Sequence, residues 1–152
     1  MGNMGCGCPG SMARTIERTE TEETTTTTKA RSELRQWPVQ LHLVPPTAPY
    51  FKDAEILVSA DCVAFAMGSM HQDLLKGKAL AIACPKLDET DGYVEKLATI
   101  FRTNDTPKVT VAIMEVPCCR GLDIMVKEAV QKSGRDIPLE TIIIGIDGNR
   151  RN

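Results

Sequence analysis

The run KVTVAIMEVPCC, residues 108–119, decides the fold. Lys108 to Met114 is a short apolar segment carrying the β-branched residues Val109, Thr110, Val111 and Ile113, and it does not alternate polar with apolar. That is the pattern of a strand buried on both faces, as strands of a parallel sheet are. Pro117 fits the entry to a helix. From Leu122 to Ser133 the apolar residues Leu122, Met125, Val126, Ala129 and Val130 recur at helical spacing, and Gly134 supplies the stop. Strand, cysteine pair and helix thus follow one another directly.

The same alternation extends to both sides. Val39 to Val44, Glu55 to Ser59, Ala79 to Ala83 and Thr141 to Ile146 read as further strands, each a short apolar run. Between them, Val63 to Leu75 places Val63, Met67, Met70 and Leu74 on one helical face, and Gly92 to Asn104 does so with Val94, Leu97, Ala98 and Phe101. Pro45 to Phe51 is too proline-rich for a long helix and reads as a loop. Short strands alternating with helices imply right-handed crossovers. The expected fold is α/β: a three-layer, mainly parallel five-stranded sheet, Rossmann-like or flavodoxin-like in winding, with helices on both faces.

The first third of the chain has a different character. Residues 1–18 form a cysteine-containing, Gly/Pro-rich head in which MGCGCPGSM surrounds Cys6 and Cys8, with Ser11 placed to cap a short helix through Arg18. Residues 19–33 begin TETEETTTTTK, a polar run with no apolar positions to pack, which reads as a linker. The α/β domain is expected over residues 34–152.

The chain has 152 residues, 42% of them hydrophobic, and a net charge of −2, which suits one globular domain and offers no electrostatic case for nucleic acid or an anionic membrane surface. No apolar run approaches the roughly 20 residues of a membrane-spanning helix, and Met1 to Gly10 lacks the pattern of a secretory signal. A cytoplasmic location is expected. There is no GxGxxG, no GxxxxGK[ST] and no GxSxG, so the usual sequence arguments for dinucleotides, nucleoside triphosphates and serine hydrolysis are missing.

Six cysteines are left to explain. In open parallel sheets ligands sit outside the carboxyl ends of the strands, and four cysteines fall there. Cys62 follows the strand of ILVSADC, Cys84 ends LAIAC, and Cys118 and Cys119 follow VAIMEVPCC. Cys118 and Cys119 lie in the first turn of a helix, where free N–H groups and the helix dipole favour thiolate. Adjacent side chains on a helix diverge by about 100°, so the two thiols can serve different partners. His42 and His71 stand alone, outside any metal motif, and read as hydrogen-bonded core or surface residues. Asp61, Asp88 and Asp147 also follow strands and so could orient a ligand, although capping the following turn or helix is the commoner role. Gly145 and Gly148 read as turn glycines.

The stretches SELRQWPVQLHLVPPTAPYF, ADCVAFA, LLKGKALAIACPKLD and MEVPCCRGL resemble the C-terminal accessory domain of 4Fe-4S ferredoxin-type iron–sulfur-binding proteins of anaerobic bacteria and archaea. The resemblance runs from Ser32 to about Asp147, and Cys8-Pro9-Gly10-Ser11 is similar to the segment that joins that domain to a two-cluster ferredoxin module. The module's own C-x₂-C-x₂-C-x₃-C-P run is absent. The resemblance implies an anaerobic redox setting, with Cys62, Cys84, Cys118 and Cys119 standing where the family's cysteines stand.

Three chemistries remain open. The first is an iron–sulfur or other metal centre, 4Fe-4S foremost, held by Cys62, Cys84 and one or both of Cys118 and Cys119, with Cys6 or Cys8 closing the site. It would serve electron transfer or cluster handling, with a ferredoxin or other redox protein as partner and self-association open. The second is a thiol-redox or thiol-nucleophile enzyme using Cys118 or Cys119 without metal, with Cys84 or Cys62 as resolving partner. The third is a structural zinc–thiolate site.

Overall fold

The structure is a computed structural model that describes residues 29–152. The head, its Cys6 and Cys8, the short helix expected at Ser11 to Arg18 and most of the linker lie outside the described residues. The linker's last residues are anchored: Gln72 Nε2 donates to the Arg31 carbonyl at 3.3 Å, and the Glu33 N–H donates to His71 Nδ1 at 3.1 Å.

Four strands form the sheet: β1 (Ile56–Ala60), β2 (Ala79–Ala83), β3 (Val109–Met114) and β4 (Leu139–Ile144). Their order is β2-β1-β3-β4, and every pair is parallel. Ile56 lies opposite both Ala79 and Val109, and Val109 opposite Leu139, so the strands start level and end close to level. Every residue of the two central strands, β1 and β3, is buried. This is the outcome that their unbroken apolar runs imply.

The expected fifth strand does not form. Gln40 makes one parallel bridge to Ile82, with the Leu41 N–H donating to the Ile82 carbonyl at 2.9 Å and the Ile82 N–H to the Val39 carbonyl at 2.9 Å. The Gln40 carbonyl then accepts the N–H groups of Leu43 and Val44 at 2.8 and 3.0 Å, and the chain curls into a turn. Leu41 and Val44 are buried while Leu43 is exposed. That is a helical-turn spacing rather than the alternation of a strand, and Pro45 and Pro46 have no N–H with which to continue a ladder.

A second expectation also needs correction. Val63 to Leu75 is not one helix but α1 (Val63–Ala66), an extended Met67 at φ −99° and ψ 105°, and a single π-helical turn at His71–Leu75. Gly68 and Ser69, poor helix formers, follow Met67 directly, and the turn after β4 packs against the break. Gly148, at φ 89°, comes so close to the end of α1 that a Cβ there would collide with the Ala66 carbonyl oxygen. Val63, Met67, Met70 and Leu74 are nonetheless all buried, so the apolar face survives the break.

The other two helices, α2 (Tyr93–Thr103) and α3 (Arg120–Lys132), match their expected spans to within two residues and pack against each other. From β1 the chain steps outward to β2, then returns across β1 to β3 and on to β4. With right-handed crossovers that reversal puts the β1–β2 connection on one face and α2 and α3 on the other. The outer edge of β4 is covered by residues 150–152, whose Arg151 N–H donates to the Ile143 carbonyl at 2.8 Å. No helix among the described residues is long and apolar enough to cross a membrane.

Phe101 on α2 is wholly buried in the core. Its truncation in Phe101→Ala is expected to cost about 3–5 kcal/mol, read as a lowered midpoint in urea unfolding with circular dichroism.

Candidate functional site

Because the strands end level, the residues just beyond them are neighbours. A cavity of about 150 Å³ lies there. Its wall takes Ala60, Asp61 and Cys62 from the end of β1, Cys84 and Pro85 from β2, Met114, Val116, Cys118 and Cys119 from β3, and Ile146 from β4. All four cysteines singled out in the described part of the chain therefore face one space. The strand order reverses between β1 and β3, and Cys62 and the Cys118–Cys119 pair stand on either side of that switch point. Ligands in open α/β sheets bind at such a point.

Cys84 is held by its own loop. Asp88 Oδ2 accepts the Cys84 N–H at 3.0 Å, the Tyr93 hydroxyl at 2.6 Å and Gln40 Nε2 at 3.0 Å, while the Asp88 N–H donates to the Cys84 carbonyl at 3.0 Å. Burial, and the bond to Asp88, push the Tyr93 hydroxyl up to about 12. Asp88 thus caps the turn that presents Cys84. Gln40, a polar residue inside the apolar run VQLHLV with no motif to mark it, completes this network.

The cysteine pair enters from β3 through a 3₁₀ turn at Pro117–Cys119, closed by the Cys119 N–H donating to the Val116 carbonyl at 3.1 Å. Two positions later, Gly121 lets α3 approach β2: a Cβ there would sit 3.2 Å from Pro85 Cβ. A side chain at that position would press the Cys84 loop away from the cysteine pair. Glycine within a helix costs about 1 kcal/mol relative to alanine, and that oddity in CCRG was the signal that could have marked Gly121.

The thiols differ in setting. Cys62 is exposed, Cys84 and Cys118 are half-buried, and Cys119 is buried. Burial pushes the Cys119 thiol up to about 11; a backbone hydrogen bond with Met114 opposes this, and Cys118, Cys62 and Cys84 add to it. The expectation that the helix start would favour thiolate fails at Cys119, because desolvation outweighs it. The Cys62 thiol is also raised, first by desolvation of its sulfur, although the residue as a whole is exposed, then by Cys84, Asp61 and Cys118.

Asp61 is the least satisfied group in the wall. Its Oδ1 is shut off from solvent and has no hydrogen-bond partner. Burial raises its carboxyl above the ordinary value, and Asp88 adds to the shift. Asp147 is a turn residue, accepting the Asn149 N–H at 3.0 Å and pairing with Arg151 at 3.1 Å. The histidines take no part: His42 packs edge-on to Tyr93 with ring centres 4.8 Å apart, and His71 accepts from Glu33. Among the described residues, no three of His, Cys, Asp and Glu are disposed to hold a single metal ion.

Residues 48–151 match the family model described as the Rossmann-like domain. The chain belongs to the Rossmann-like domain family. A protein of Archaeoglobus fulgidus, described as an uncharacterized protein, is 34% identical over 116 residues, covering 76% of this chain and 81% of that one. No solved structure matches the chain. In dinucleotide-binding Rossmann domains a glycine-rich turn after β1 lets the backbone approach a pyrophosphate at a helix N-terminus. This Rossmann-like domain has Ala60-Asp61-Cys62 there, with no glycine, and α1 is a single turn of four residues.

Two outcomes follow. In the metal-free protein, timed alkylation at pH 8 with peptide mapping is expected to label Cys62 early and Cys119 last, with Cys119 becoming reactive only as the pH approaches its raised value; early Cys119 labelling would contradict the burial described. Asp88→Ala removes the acceptor shared by three donors and is expected to destabilise the fold by roughly 2–4 kcal/mol and to speed labelling of Cys84, measured by urea unfolding and the same mapping.

Proposed function

We propose that this domain is an iron–sulfur redox module that holds a cluster of the 4Fe-4S type at the carboxyl edge of its sheet. The observation that carries the reading is the meeting of Cys62, Cys84, Cys118 and Cys119, brought from three different strand ends, in the wall of one cavity at the switch point. Thiolate sulfur is the ligand chemistry that clusters take. The resemblance to the accessory domain of ferredoxin-type iron–sulfur proteins points the same way.

Zinc is the competing thiolate chemistry, and the two differ in the ligand geometry they require. A structural zinc ion binds sulfur at about 2.3 Å and needs its ligands to converge on one point, whereas no three candidate ligands among the described residues do so. A 4Fe-4S cluster takes its protein ligands one per iron, so its thiols stand around a volume rather than a point. Bound in this cavity, a cluster supplies reversible one-electron transfer. The chain's own contribution is to fix the ligand loops through Asp88 and Gly121 and to line the site with apolar walls from Ala60, Met114, Val116 and Ile146.

The partner in this reading is a separate ferredoxin or other redox protein. Phe65 and Leu87, each the third residue after a cysteine, are 93% and 83% exposed. Large apolar side chains left open on the segments that carry the ligands suit a docking surface. A thiol-nucleophile enzyme is the second reading, and Cys118 is its remaining candidate, since burial holds Cys119 in the thiol form.

Anaerobic purification of the full chain, followed by iron and sulfide reconstitution and analysis for iron, sulfide and zinc, tests the reading. Wild-type protein is expected to carry iron and sulfide in equal amounts, and Cys62→Ser, Cys84→Ser and Cys118→Ser each to lower both. Protein that takes up neither after reconstitution overturns the cluster reading; zinc bound without sulfide would transfer the site to structural zinc.

A further inference from the structure

We propose that Asp61 supplies an oxygen ligand to the centre at this edge, with Cys62, Cys84 and Cys118 as its thiolate ligands and Cys119 as a wall of the cavity. The inference rests on the iron–sulfur reading and names the ligand set within it.

Its first support is the unpartnered carboxylate oxygen. Among the described residues, the buried side-chain oxygens and nitrogens without a partner are Tyr50 Oη, Asp61 Oδ1 and Thr106 Oγ1, and of these only Asp61 lines the thiol cavity. A buried acceptor left unpaired costs about 1–3 kcal/mol, more when charged. Such a group calls for an explanation, a bound ion among them. Asp61 has no freedom to escape by a backbone shift, because its N–H donates to the Ala83 carbonyl at 3.2 Å and ties it to the end of β2. Its electrostatic neighbours include Asp88, the Cys62 thiol and the Tyr93 hydroxyl, and none of the ion pairs among the described residues includes it. A cation in the cavity would satisfy the orphaned oxygen and offset the clustering of acids.

The second support is the unequal standing of the adjacent cysteines. Cys119 is only 6% exposed and belongs to the hydrophobic core, whereas Cys118 is half-buried. Successive side chains in a 3₁₀ turn diverge by about 120°, so the two thiols point in different directions, and Cys119, although it touches the cavity, is the more deeply buried of the pair. Three thiols and one carboxylate then make four ligands, the number that a 4Fe-4S cluster takes. An oxygen ligand is harder than thiolate and binds iron with less covalency, which makes the iron it holds the exchangeable one.

Anaerobic reconstitution of the full chain with iron and sulfide decides the matter, read by iron content and by electron paramagnetic resonance of the reduced protein. Asp61→Asn and Asp61→Ala are expected to lose about one iron in four and to change the spectrum. Asp61→Cys should restore full loading with an all-thiolate spectrum, and Cys119→Ala should load as wild type does. In metal-free protein, Asp61→Ala is expected to melt at or above the wild-type temperature, because it removes an unpaired buried oxygen. Wild-type loading and spectrum in both Asp61→Asn and Asp61→Ala would overturn the inference. So would loss of the cluster in Cys119→Ala, or a lower melting temperature for metal-free Asp61→Ala, which would assign Asp61 to the scaffold. Wild-type protein that takes up no iron overturns the cluster reading itself and this inference with it, a failure distinct from the others.

Discussion

The hydrogen-bond register of the parallel sheet is the constraint on which the rest depends. Ile56 pairs level with Ala79 on one side and Val109 on the other, and Val109 pairs level with Leu139. Parallel strands that start together deliver their following residues to one edge. The four described cysteines are far apart in the chain, and no local motif connects Cys62 to Cys84 or Cys84 to Cys118. A register slip of one residue in β2 would exchange the faces of its side chains and move Cys84 relative to the other two strand ends. The complete burial of β1 and β3 is what makes such a slip costly.

Around that edge the loops are fixed by polar contacts rather than by length. Asp88 gathers donors from the Cys84 backbone, from Tyr93 at the start of α2, and from Gln40 in the turned segment that leads to the sheet. One carboxylate oxygen thus couples the N-terminal approach, the β2 loop and the α2 entry. On the opposite side, Gly148 seats the β4 turn against Ala66, and Gly121 seats α3 against Pro85. A side chain at Gly148 would strike the Ala66 carbonyl, and one at Gly121 would press on Pro85. The end of α1 at Ala66 is thereby packed directly against the β4 turn.

Much of this was legible in the sequence, and the failures have physical reasons. The strands β1 to β4 and the helices α2 and α3 announce themselves through unbroken apolar runs and helical periodicity, and the placement of Cys62, Cys84, Cys118 and Cys119 follows from counting residues past each strand. Val39 to Val44 looked like a strand because apolarity alone does not distinguish a ladder from a buried turn. Leu41 and Val44 point inward through the turn that Gln40's carbonyl closes. Val63 to Leu75 showed the correct buried face but not the break at Met67, where Gly68 follows directly and the β4 turn, distant in sequence, packs against Ala66. The thiol of Cys119 was misjudged for a related reason: helix position is visible in sequence, and the depth of burial that overrides it is not.

The chemistry of the edge differs from that of the dinucleotide-binding members of its fold class in a way that composition explains. There, glycines admit a pyrophosphate and a full helix N-terminus supplies positive potential. Here the turn after β1 carries Asp61 and Cys62, and the helix that follows is a single turn, too short to build a macrodipole of any consequence. Asp88 adds to the burial that raises the Asp61 carboxyl, and the neighbouring cysteines add to the burial that raises the Cys62 and Cys119 thiols. An anion entering such a space would meet repulsion from every ionised group in the wall. A cation would meet attraction from the same groups. The switch point that serves phosphate elsewhere is thus lined, in this chain, by one carboxylate, four cysteines and apolar side chains.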